Sequence, residues 1–132
     1  MMKISELVAL AKKARENAYA PYSKFKVGAV LETASGKIYT GANVENSSYG
    51  LSMCAERIAI FKAVSDGETD FKRLVVIANT KDVVSPCGAC RQVMAEFGNF
   101  EVILANTSGK IKKTDVNALL PGAFNLRRDN VK

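Results

Sequence analysis

The sequence predicts an α/β domain in which a central sheet carries helices on both faces. Three observations carry that expectation. Helical and extended segments alternate along the chain. Two strands, Leu74 to Ala78 and Phe100 to Ala105, are apolar runs, broken only by Glu101 near the start of the second, and a Ser35-Gly36 turn joins two earlier strands into a hairpin. Alternating elements of this kind build a layered sheet with crossover connections, and a strand apolar on both sides is one covered on both sides.

Ser5 and Glu6 open the first helix, with Ile4, Leu7, Val8, Ala11 and Ala14 at helical spacing. The pattern fades by Ala20-Pro21-Tyr22, because proline disfavours helical backbone in the residue before it. Phe25 to Leu31 alternates, which places Phe25, Val27, Ala29 and Leu31 on one face of a strand. The turn at Ser35-Gly36 leads into a second, antiparallel strand from about Ile38 to Val44. A helix is predicted from Cys54 to Val64, with Ile58, Phe61 and Val64 apolar, and the strand Leu74 to Ala78 follows. Ser85-Pro86 sets up a further helix reaching about Phe97, since proline suits a first turn whose N–H has no partner in any case. Gly98-Asn99 ends it ahead of the strand Phe100 to Ala105. A weak strand near Ile111 and a short helix from Val116 to Leu120 come next, and Pro121-Gly122 breaks that helix. The tail after Phe124 is polar and expected to be loosely held.

A chain of 132 residues has room for one domain, taken as 1–132. Its 48% apolar and 24% charged content is that of a soluble globular protein, and no apolar run is long enough to span a bilayer. The first residues mix Lys, Glu and Ser where a leader would be apolar, which points to the cytoplasm. The net charge of +6 raises the question of nucleic acid. Apart from the Lys112-Lys113 and Arg127-Arg128 pairs, however, the cations are scattered, as on a surface built for solubility. The lack of Trp weakens a case for base stacking along a single strand. Neither a nucleic-acid nor a membrane partner is expected.

The three cysteines are more informative. An odd number excludes a closed set of internal disulfides, and a reducing compartment favours metal or redox use. Histidine is absent, which removes Ser-His-Asp and Cys-His chemistry at once. Cys87-Gly-Ala-Cys90 at a helix start puts both sulfurs where the helix dipole favours anions. Alone, that pattern fits a redox dithiol and half a zinc site equally well. Cys54-Ala-Glu-Arg57, opening another helix, favours the metal. Three thiolates from two helix starts leave a fourth tetrahedral position for water, as in catalytic rather than structural zinc sites. Glu56 is placed to take a proton there. A non-enzymatic zinc module stays open at this point. An all-thiolate set also leaves the metal site net negative, so helix N-termini and a nearby cation should compensate. Arg57 and Arg91 are the candidates, with Arg57 favoured.

These residues resemble the signature of zinc deaminases. The match is close to the cytidine deaminase family, in its short three-cysteine branch. It extends over nearly the whole chain through Tyr22-Ser-Lys-Phe-Lys-Val-Gly28, Gly41-Ala-Asn-Val-Glu-Asn46, Cys54-Ala-Glu-Arg57, Pro86-Cys-Gly-Ala-Cys-Arg-Gln92 and Leu119-Leu-Pro-Gly-Ala-Phe124. The resemblance implies a three-layer α/β/α fold with a mixed central sheet. It implies hydrolytic deamination of cytidine and deoxycytidine to uridine and deoxyuridine, with one zinc per subunit in a homotetramer. By position it implies Cys54, Cys87 and Cys90 as zinc ligands and Glu56 as the catalytic proton carrier. Asn43 and Glu45 match the pair on the ribose hydroxyls, Phe25 matches the aromatic on the pyrimidine ring, and Ala55 falls among the substrate contacts. Tyr49 and Phe124 match positions that a neighbouring subunit contributes to the site. Leu51-Ser52-Met53 and the tail after Phe124 are where family members vary, so contacts at the substrate's edge are matched least. A polynucleotide deaminase acting on RNA or single-stranded DNA would share the zinc chemistry. Such enzymes typically place His where Cys54 stands, and Glu45 would sit awkwardly beside a phosphate backbone. A free-nucleotide deaminase is disfavoured for want of a phosphate cradle.

Overall fold

The chain runs through α1 (Ile4–Arg15), the hairpin of β1 (Val27–Thr33) and β2 (Ile38–Ala42), α2 (Ala55–Ser65), β3 (Phe71–Ala78) and α3 (Gly88–Ala95). It continues through β4 (Glu101–Asn106), β5 (Ile111–Asp115) and the short helices α4 (Val116–Leu119) and α5 (Leu126–Asp129). This is the computed structural model of the protein, and it describes residues 2–129. The strands form one sheet in the order β2-β1-β3-β4-β5. β1 pairs antiparallel with β2 and with β3, β3 pairs parallel with β4, and β4 pairs antiparallel with β5. The sheet is mixed, as expected.

Side chains alternate across it and divide the core in two. Val30, Val75, Ile77, Ile103 and Ala105 pack with Leu7 and Ala11 of α1. Ala29, Leu31, Leu74, Val76, Val102 and Leu104 pack with Ala55, Ala59 and Ala63 of α2 and with Cys90 and Met94 of α3. The result is the three-layer α/β/α arrangement. Each fully buried Val, Leu or Ile contributes about 1.5–3 kcal/mol by leaving water.

Two glycines let the helices lie close to the sheet. A Cβ on Gly28 would come 2.1 Å from the Ala11 carbonyl oxygen, and one on Gly41 would come 2.3 Å from the Ala55 carbonyl oxygen. Neither neighbour can yield, because both are backbone inside a helix. A buried ion pair ties β1 to β3: Arg73 Nη2 lies 2.6 Å from Glu32 Oε1, and the same nitrogen donates to the Met2 carbonyl at 2.6 Å. The guanidinium thereby fastens the start of the chain to the sheet.

Several boundaries move from their expected places. β1 begins at Val27, not Phe25, because the Val27 N–H donates to the Asn43 side chain at 2.8 Å and the regular ladder starts there. Its other face is also buried, since α1 covers Val30. β2 ends at Ala42; beyond it, Val44 bridges Tyr19 on one side and Met53 on the other. α3 starts at Gly88, with Cys87 as its cap, so Pro86 lies outside the first turn it was expected to occupy. It ends at Ala95, and Gly98 with φ +90° turns the chain. The expected loose tail is a correction. Asn125 is buried and donates to the Ala95 carbonyl at 3.0 Å, satisfying an orphan acceptor at the end of α3. Residues 130–132 of that tail lie outside the described residues. No helix among the described residues is long and apolar enough to cross a membrane.

Candidate active site

The topology gathers the chemistry on one edge of the sheet. Two antiparallel steps, β2 to β1 and β1 to β3, make β2 and β3 run the same way, and the parallel step adds β4. α2 therefore begins beyond the end of β2, α3 begins beyond the end of β3, and β1 enters the sheet between them. In open α/β sheets this strand-end edge is where ligands bind. A cavity of about 320 Å³ lies here, lined by Phe25 and Val27 from the entry to β1, Asn43 and Glu45 after β2, Cys54 to Glu56 at the start of α2, and Val84 to Cys87 before α3.

Cys54 caps α2 and Cys87 caps α3, both on extended backbone, while Cys90 sits in the first turn of α3. Their sulfurs all lie within 4.8 Å of one another, with Cys54 and Cys87 3.9 Å apart and Cys87 and Cys90 3.4 Å apart. Both helix N-termini direct their positive ends at the cluster. Hydrogen bonds from the Cys90 thiol and from Arg57 pull Cys54 down to about 5, while that bond to Cys54, and then burial, push Cys90 up. Three soft donors converging from two helix starts fit zinc in the open arrangement of a catalytic site.

Glu56, in the first turn of α2, is 4% exposed. Burial, reinforced by the nearby Cys54 thiolate, holds its carboxyl above the ordinary range. Arg57 turns its Nη2 to Cys54 Sγ at 3.4 Å, and its Nε is buried without a partner. The hydrogen bond to Cys54, with the charge of Cys90 and Cys54 behind it, in turn holds the guanidinium protonated more firmly than usual. Arg91, the other cation considered from sequence, spends its hydrogen bonds elsewhere, on Pro86, Ser85 and Leu119. The sulfurs face Arg57.

The opposite wall is held rigidly. Glu45 Oε1 accepts the N–H groups of Tyr22 at 3.0 Å and Ser23 at 3.1 Å, while Oε2 accepts the Ser23 hydroxyl. These bonds, the Ser23 hydroxyl first, hold the Glu45 carboxyl below its ordinary range. Asn43 accepts from Val27 and donates to the Phe25 carbonyl at 2.9 Å. One N–H of Asn43 and one lone-pair site on Glu45 Oε2 remain for a ligand hydroxyl. Ala55 is fully buried in the cavity wall, and Phe25 is 44% exposed at its mouth.

Residues 1–106 match the family profile described as the cytidine and deoxycytidylate deaminase zinc-binding region. A cytidine deaminase of Sporosarcina psychrophila is 58% identical over 125 residues, covering 93% of this chain and 92% of the relative. One from Halalkalibacterium halodurans is 53% identical over 120 residues, covering 89% and 91%. Among solved structures, a cytidine deaminase from Burkholderia pseudomallei superposes with a TM-score of 0.91 at 50% identity, covering 93% of this chain and 100% of that one. The chain belongs to the cytidine deaminase family. It carries the family's zinc-binding region with a three-cysteine cluster, and Glu56 lies within that matched region.

Cys54, Glu56, Cys87, Phe25, Asn43, Glu45 and Ala55 meet at one cavity, with Cys90 completing the sulfur cluster. Tyr49 and Phe124 do not join them within one chain. Tyr49 is 76% exposed and lines a neighbouring hollow with Tyr22, Ser23, Glu45 and Ser52, and Phe124 is 60% exposed. For this member of the cytidine deaminase family, sequence reasoning missed Ser23 and Lys24. Ser23 Oγ also accepts the Phe25 N–H at 3.0 Å, which bridges Lys24 in left-handed backbone with φ +62°. A non-glycine residue in that region costs about 1–2 kcal/mol, and here the kink aims Phe25 at the cavity. A serine two residues ahead of an exposed aromatic was the available signal, but many surface turns share it.

Proposed function

We propose that this protein is a zinc-dependent cytidine deaminase, converting cytidine and deoxycytidine to uridine and deoxyuridine while consuming water and releasing ammonia. The observation that carries this reading is a buried carboxylate, Glu56, beside three converging cysteine sulfurs in a cavity whose far wall offers an aromatic ring and fixed hydroxyl-binding groups. Zinc held by Cys54, Cys87 and Cys90 supplies Lewis acidity that makes a water acidic near neutral pH. Glu56 accepts the proton of that water and delivers it to N3 of the pyrimidine, which readies C4 for attack. Once the hydroxide has bonded to C4, the same carboxyl takes the remaining proton of that hydroxyl and passes it to the amine, so the C4–N bond breaks, ammonia leaves and the C4 carbonyl forms. Phe25 packs on the ring and limits water around Glu56. Asn43 and Glu45 hold the ribose hydroxyls; a carboxylate there repels a phosphate group, which favours nucleosides over nucleotides. Ala55, at the helix start, borders the base. Arg57 offsets the surplus charge of the thiolates.

Neighbouring copies complete the site. Tyr49, Leu51, Phe61 and Phe124 leave more apolar surface exposed than a lone chain of this size needs, and a homotetramer covers it while bringing Tyr49 and Phe124 to adjacent cavities. Unpaired cysteines reserved for metal suit the reducing cytoplasm. Ammonia release from cytidine, deoxycytidine and cytidine monophosphate, measured side by side with zinc content and with mass by light scattering, tests the reading. Turnover of both nucleosides well above the monophosphate, by four-chain particles, is the expected result. Activity confined to the nucleotide, or to polynucleotide with steep salt dependence, would overturn it.

A further inference from the structure

α3 carries more than two ligands. Arg91 lies in its second turn, and the side chain folds back toward the helix start, the direction favoured by helical rotamers. Its guanidinium is used on three sides. Nε donates to the Pro86 carbonyl at 2.9 Å, Nη2 to Ser85 Oγ at 2.7 Å, and Nη1 to the Leu119 carbonyl at the end of α4 at 2.7 Å. The next residue, Gln92, donates from Nε2 to the Phe124 carbonyl at 2.9 Å. At the other end of the helix, Asn125 donates to the Ala95 carbonyl. One short helix thus holds Cys87 and Cys90 on its first turn and is laced along its length to the segment 119–125.

The bond to Pro86 matters most for the metal. That carbonyl belongs to the peptide unit leading into Cys87, so fixing it fixes the plane from which the Cys87 side chain departs. Cys87 is exposed, and among the described residues its sulfur's hydrogen-bond contacts are with the other two cysteines, while its carbonyl accepts the Arg91 N–H at 3.1 Å. Nothing else in that set orients its sulfur from outside the cluster. A cation folded against a helix N-terminus opposes the helix dipole, so the guanidinium is retained there by its three acceptors.

We propose that Arg91 is a positioning residue that sets the Ser85–Cys87 loop for metal capture and, through Leu119, couples metal binding to docking of the segment 119–125. The proposal rests on the reading of Cys54, Cys87 and Cys90 as zinc ligands. Coupling of this kind is reciprocal: zinc steadies the segment by the factor through which the docked segment tightens zinc. The segment includes Phe124, so the same clamp governs the surface offered to a neighbouring copy.

The test uses the full chain. Zinc affinity is measured by chelator competition, and amide hydrogen exchange of peptides spanning 116–125 is followed with and without zinc, for wild type, Arg91→Ala, Arg91→Lys and Gln92→Ala. Zinc is expected to slow exchange in 116–125 of the wild type, a measurement that needs no variant to fold. Arg91→Ala should weaken zinc binding roughly 10- to 100-fold, as loss of outer supports to metal ligands typically does, and abolish the zinc-dependent protection. Arg91→Lys keeps the charge but not the fork, and should stay impaired. Gln92→Ala should raise exchange in the segment and lower zinc affinity by less than Arg91→Ala. Full zinc affinity in Arg91→Lys would assign the effect to charge and overturn the proposal, as would wild-type exchange indifferent to zinc. A wild-type chain that takes up no zinc would instead overturn the ligand assignment itself.

Discussion

Arg57 Nη2 rests 3.4 Å from the Cys54 sulfur, three residues back on the same helix, and its hydrogen-bond partner is that sulfur rather than a carboxylate. A three-thiolate site without histidine gives the metal more negative charge than its chemistry favours, and this guanidinium is the charge that faces it. Arg57→Ala is expected to keep its zinc, to lose at least about tenfold in kcat at pH 7, and to shift the rise of kcat with pH upward by about one unit. An unchanged pH–rate profile at full zinc content would remove Arg57 from this role.

Glu56→Gln preserves shape and hydrogen bonding but cannot shuttle protons. The variant should load zinc normally and lose roughly 10²- to 10⁴-fold in kcat, the usual range for a missing general acid–base group. Metal analysis beside a steady-state ammonia assay checks it, and near-normal turnover would refute the assignment.

Gly28 and Gly41 make a matched pair, since a side chain at either strikes helix backbone. Both alanine variants should lose about 1–3 kcal/mol or more in urea melts, the cost of overpacking. Their effects on the metal should part. Gly41→Ala displaces α2, whose cap is Cys54, and should weaken zinc binding; Gly28→Ala presses on α1 across the sheet and should leave it unchanged. Equal zinc affinities in the two variants would count against α2 as the sensitive element.

Glu45 owes its lowered pKa first to the Ser23 hydroxyl. Because the folded value lies below the unfolded one, the ionised carboxylate's contribution is present above the ordinary range and is lost only as pH falls through the lowered folded value. Ser23→Ala should bring the Glu45 midpoint, followed by carboxyl carbon NMR, upward toward the ordinary 4.5. It should also raise KM for cytidine more than it lowers kcat, because the hydroxyl-binding wall loosens. Coincident titration curves for wild type and variant would show that other bonds set the carboxylate.

Much of this was legible in the chain. Three cysteines, a glutamate two residues after the first, and no histidine define the metal chemistry without coordinates. The apolar runs placed the middles of β3 and β4, Leu74 to Ala78 and Val102 to Ala105, because burial on both faces leaves those positions apolar. What escaped depends on contacts between residues distant in sequence. Gly28 and Gly41 are ordinary strand glycines until α1 and α2 are laid against them. Ser23 and Glu45 are twenty-two positions apart, and the bond between them follows from Tyr19 and Val44 pairing nearby. Asn125 looked like part of a polar tail because its burial depends on an acceptor at the end of α3. Pro86 was placed inside α3 because proline tolerates both a first turn and the position before a cap.

The common direction of β2, β3 and β4 has a consequence at the far rim of the sheet. The turn from Thr33 to Lys37, the link from Ser65 to Phe71 and the short passage from Gly98 to Phe100 all lie at the end away from the cavity. Among the described residues, none that lines the cavity lies in them. The fold therefore has a working rim and a free rim. Length changes, fused peptides or labels introduced at the tip around Gly36 are expected to leave the cavity undisturbed, while a single added residue between Asn43 and Cys54 would shift two walls of that cavity together.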